Sequence, residues 1–83
     1  MQFRIECVSS RGSPVYVLAR QLTDGNFILS ETPFLSGVPI SRHVGQPRKF
    51  KSDGTLDVTV FAFQLVSSDD AERFFVGKVV ELS

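Results

Sequence analysis

Gln2-Phe3-Arg4-Ile5-Glu6-Cys7-Val8 alternates polar and apolar side chains, with Phe3, Ile5 and Cys7 on one face and Arg4 and Glu6 on the other. That period of two predicts a half-buried strand, and it places the Cys7 thiol in the core. Turn chemistry follows in Ser-Ser-Arg-Gly-Ser-Pro, residues 9 to 14, and the β-branched and aromatic run Val15 to Arg20 predicts a second, antiparallel strand. Thr23-Asp24-Gly25-Asn26 supplies a tight turn, after which Phe27-Ile28-Leu29 reads as a short third strand. Pro33 and Pro39 bracket residues 34 to 38 and cannot donate to a ladder. This part is therefore expected as an edge strand or an ordered loop, with Phe34, Leu35 and Ile40 packed inward.

Ser52-Asp53-Gly54 is a turn that joins Arg48 to Lys51 with the longest strand pattern, Thr55 to Leu65, and predicts a hairpin in which Phe50 points to the core. Within the long strand Leu56, Val58 and Val60 share one face and Phe61, Phe63 and Leu65 the other. A β-bulge near residue 60 is the expected cause, a strand covered on both faces the alternative. Ser67 to Gly77 changes period: a serine cap, acids in the first turn, then Ala71, Phe74 and Phe75 at helical spacing and a closing glycine. One short helix is expected near residues 68 to 75, and Lys78 to Leu82 returns to strand.

Six or seven short strands, one small helix and no repeat predict an all-β fold. A small antiparallel β-barrel fits it best, a compact sandwich being the alternative, because closure removes the exposed edges of an open sheet. The length of 83 residues allows one domain, residues 1–83, and 42% hydrophobic residues with eight Phe suffice for one core. Formal charge is zero, so an electrostatic partner has to be met by a local patch. One cysteine forms no internal disulfide and favours a cytoplasmic setting. No apolar run approaches the length of a membrane span, so no membrane partner is expected.

The chemistry-bearing residues are sparse. The single histidine, His43, has no nucleophile signature around it, and one Cys with one His falls short of a zinc ligand set. Asp69, Asp70 and Glu72 lack the spacing of a calcium loop and suit a helix start. Gly77-Lys78 resembles the end of a phosphate-binding loop, but Glu72 stands where the first glycine is needed and Val79 where Ser or Thr is needed. No enzyme, metal or cofactor is expected. What remains is a charge asymmetry. Arg42, Arg48, Lys49 and Lys51 lie within ten residues beside His43, whereas residues 52 to 83 hold six acids and two bases. Clustered cations of this kind suit RNA, another polyanion or an acidic protein surface, and they also suit a solvated edge guarded by lysines. The competing expectation is a protein-interaction module that uses an apolar edge at Phe34, Leu35, Val38 and Ile40, or that self-pairs through a strand edge. A monomer is the expected state.

Three segments together resemble the second domain of translational GTPases, the small barrel beside the nucleotide-binding domain of elongation and initiation factors. They are Phe3 to Val8 with the loop through Gly12, Val15 to Arg20, and Gly77-Lys78-Val79-Val80-Glu81-Leu82. Ala19 departs from the glycine frequent in that family, and the GTPase domain has no counterpart in these residues. The resemblance implies a barrel that docks on RNA or on neighbouring protein domains, and it carries over no catalytic residue.

Overall fold

Strand-forming residues punctuated by turns produce six strands, and a computed structural model describes residues 1–9, 14–46 and 50–83 of the chain. The strands are β1 (Gln2–Val8), β2 (Tyr16–Gln21), β3 (Phe34–Leu35), β4 (Val38–Gly45), β5 (Val60–Leu65) and β6 (Val79–Glu81), with a 3-10 helix at Ser68–Arg73. They pair antiparallel in the order β3-β4-β5-β2-β1-β6. The two outer strands then meet. Phe34 N donates to Ser83 O at 3.0 Å, Ser83 N to Phe34 O at 2.9 Å and Ser36 N to Glu81 O at 2.7 Å, and Leu35 bridges Leu82. The fold is the all-β, nearly closed barrel that the pattern predicts, with its edges sealed by backbone pairing.

The inward phase of each strand fills the barrel: Phe3 and Ile5, Val17 and Ala19, Leu35, Val38 and Ile40, Phe63 and Leu65, and Val80. Four phenylalanines pack edge to face at its centre. Phe3 lies 5.0 Å from Phe63 and 5.4 Å from Phe27, and Phe27 lies 5.0 Å from Phe61, all at 81° to 86° between planes. Such pairs add about 0.5–1.5 kcal/mol each beyond area burial.

Several expectations are corrected. Cys7 is exposed: β1 pairs Ile5 with Ala19 but Cys7 with Leu18, so Glu6 is an inserted residue and the alternation reverses after it. Residues 27 to 29 form no strand. Phe27 instead enters the core from a loop, while Ile28 is 95% exposed. Phe34 is 37% exposed, because only Leu35 of the two-residue β3 faces inward. The long strand begins at Val60, not Thr55, and its ladder with β2 runs without a break from Arg20↔Val60 to Tyr16↔Gln64. No bulge lies there. The phase change arises because the chain turns at Val58 and Thr59 and because Val60, out of phase with Phe61 and Phe63, is buried as well. The expected helix is the 3-10 helix, capped by Ser67, whose hydroxyl accepts from Asp69 N at 3.3 Å.

Candidate functional site

Between β4 and β5 the described residues 46 and 50–59 form an arm, whose tip is the predicted turn. Lys51 N donates to Thr55 O at 2.7 Å and Gly54 N to Lys51 O at 2.9 Å, with Gly54 at φ 87°, a conformation glycine adopts without strain. Below the tip Phe50 bridges Leu56, and at the base Gln46 Nε2 donates to Val58 O at 2.8 Å.

Two Asp-x-Thr turns stand four residues apart on the returning limb. Asp53 Oδ1 accepts from Thr55 N at 3.0 Å and from Thr55 Oγ1 at 2.6 Å, and Asp57 Oδ1 accepts from Thr59 N and Oγ1 at the same two distances. The second turn is tied to the barrel. Arg20 of β2 places Nη1 2.9 Å from Asp57 Oδ2 and 3.1 Å from Thr59 Oγ1, while its Nε donates to Glu6 Oε1 at 2.6 Å. Glu6 is the inserted residue of β1, so the bulge that displaces Cys7 belongs to the same cluster. Asp57 is buried, at 5% exposure. Its carboxyl is lowered to about 2, first by the Thr59 hydroxyl and amide and then by Arg20. Arg20 is raised, by Asp57 first and Glu6 second, and Asp53 is lowered by the Thr55 hydroxyl and amide.

The residues expected to meet a polyanion occupy two places. Arg42 and His43 lie in a bulge of β4: between Ile40↔Leu65 and Val44↔Phe63 that strand has three residues, 41–43, where β5 has Gln64 alone. Both side chains are exposed, and His43 N donates to Ser41 Oγ at 3.2 Å. Lys51 is exposed at the arm's tip. Among the described residues none of the three takes part in an ion pair. Arg48 and Lys49 lie outside the described residues. Phe50 is 69% exposed, which corrects its expected place in the core: a single bridge with Leu56 does not carry it back to the barrel.

Of the residues expected to form an apolar docking edge, Leu35, Val38 and Ile40 are core residues at 3% exposure or less, and the seam with β6 occupies the backbone of β3. Phe34 alone remains on the surface. Sequence reading missed the Glu6-Arg20-Asp57-Thr59 cluster. The repeated Asp-x-Thr within Asp53-Gly54-Thr55-Leu56-Asp57-Val58-Thr59 is the signal for its turns, but the role of Arg20 depends on strand order.

Among the described residues no three His, Cys, Asp or Glu side chains gather as metal ligands, and no helix is long and apolar enough to cross a membrane. Fold and surface together define a small antiparallel barrel that carries a braced, exposed arm. Comparison with protein-family models, curated proteins and solved structures found no match to this chain.

Proposed function

We propose that this protein is a small non-catalytic binding module that holds an anionic polymer, RNA or a ribonucleoprotein, on the arm between β4 and β5 and on the adjoining bulge. The observation that carries the reading is the exposure of Phe50 and Lys51 on an arm whose base is fixed by the Arg20–Asp57 ion pair. A held arm loses less conformational freedom on binding than a loose loop does. Arg42 and His43 add donors that have no ionic partner among the described residues. Arg48 and Lys49 extend the basic run by their place in the sequence alone. Resemblance to the second domain of translational GTPases points the same way, toward RNA or a neighbouring domain. A cytoplasmic setting belongs to the same proposal and rests on the single cysteine.

The test is a titration of the protein with an RNA oligonucleotide at several salt concentrations. If about three cations reach phosphates, affinity falls roughly 20-fold between 50 and 200 mM salt. Lys51→Glu and Arg42→Glu should each weaken binding and flatten that dependence. Absence of binding at the lowest salt removes the proposal.

A further inference from the structure

Seven of the eight phenylalanines have a packing explanation or a partner. Phe3, Phe27, Phe61 and Phe63 pack edge to face, and Phe74 is buried. Phe34 belongs to the seam, and Phe75 lies beside Lys78, whose Nζ is 5.7 Å from its ring centroid. Phe50 has none of these. It makes no ring pair or cation contact among the described residues, and its backbone is held by the bridge to Leu56. Directly bridged residues of an antiparallel pair present their side chains on the same side. Leu56, itself 44% exposed, therefore stands beside the ring and widens the apolar surface.

We infer, resting on the polyanion reading above, that Phe50 with Leu56 is a stacking platform for an unpaired base, so that the ligand is a single-stranded nucleic acid. A flat exposed ring matches the face of a base and is tolerant of which base it meets. Duplex bases are already stacked on one another and offer no face to it. Lys51 follows Phe50 directly in the chain and is exposed at the tip. A strand whose base lies on Phe50 thus has its phosphates within reach of the long lysine side chain. An acidic peptide offers the charge but no flat partner for the ring.

The decisive measurement is fluorescence anisotropy of the intact protein with a short single-stranded RNA, the same sequence closed into a duplex, inorganic polyphosphate and polyglutamate. Single-stranded RNA should bind roughly tenfold more tightly than duplex or polyphosphate, and Phe50→Ala should erase that advantage while leaving polyphosphate binding as it was. Because the chain has no tryptophan, Phe50→Trp provides one reporter, whose emission should be quenched by single-stranded RNA and not by polyphosphate. Circular dichroism and the melting temperature of both variants should match the parent, since the side chain is mostly in solvent.

Unchanged binding of single-stranded RNA by Phe50→Ala, with binding of every polyanion weakened by Lys51→Glu, overturns the platform and leaves the polyanion reading standing. Polyglutamate binding as tightly as RNA, and lost with Phe50→Ala, overturns both in favour of an acidic protein. No binding of any polyanion at low salt removes both.

Discussion

Asp57 and Asp53 are the same residue type in the same local turn, and their surroundings give them opposite relations to the arm. Asp57 is held near 2, against about 3.9 for a free aspartate. A carboxylate lowered on folding stabilises the native state above its unfolded value, and that contribution is lost as pH falls from about 4 toward 2. Asp57→Asn should therefore lower the melting temperature at pH 7 and flatten its acid dependence in that window, as thermal melts across pH will show. Among the described residues the Asp53 side chain bonds only with Thr55, and it leaves an anion two positions from Lys51 in the same turn. Asp53→Asn keeps an oxygen that accepts from Thr55, so the turn should persist while RNA affinity rises a few-fold at low salt, read by the same titration.

The joints between elements depend on backbone conformations that few residues accept. β3 and β4 are connected by Ser36 and Gly37, both at positive φ, 50° and 81°, the geometry of a two-residue type I′ turn. Serine is an uncommon choice in that region, and its bonds across the seam explain it: Ser36 N donates to Glu81 O, and Ser36 Oγ accepts from Glu81 N at 2.9 Å. Ser36→Ala keeps the unfavourable φ and loses the side-chain bond, so it should cost about 1 kcal/mol, measured as a lower urea midpoint. The arm relies on another joint. Arg20→Ala removes the tie from β2 to Asp57 and Thr59 without touching the tip. Amide exchange in residues 50 to 59 should speed up, and under the proposed polyanion reading RNA affinity should fall several-fold although no cation is removed from the tip.

As a whole the molecule balances a small core against a large surface. A domain of this length has a stability of roughly 4–12 kcal/mol. Phe63 is fully buried and packs against Phe3 at the barrel's centre. Phe63→Ala should cost about 3–5 kcal/mol through lost burial and the cavity left behind, which at the lower end of the stability range is most of the total. Urea denaturation at 25 °C will measure it. Zero formal charge gives no global field to steer a polyanion, so under the proposed reading RNA binding should respond to single charge reversals on the arm more than to reversals elsewhere.

Alternation in β1, β2 and β5, the turn at Ser52 to Gly54, the Ser67 cap and the apolar content of one core were all legible in the amino-acid sequence, because each is set by neighbours along the chain. So was the all-β class. The positions that sequence reading misplaced depend on partners far away. Cys7 is exposed because Glu6 is inserted opposite β2, a register that only strand pairing decides. Phe27 is a loop residue recruited to complete an aromatic cluster made by β1 and β5. Phe50 is exposed on an arm whose base is set by the ties among Asp57, Thr59 and Arg20, residues up to 39 positions apart. Local periodicity therefore identifies β1, β2, β5 and β6 as strand segments, whereas it misses β4 (Val38–Gly45) and wrongly marks residues 27 to 29 as a strand. Tertiary structure decided where alternation breaks and which cations and which ring reach solvent, because register, closure and long-range ion pairing are energies that no short window of sequence contains.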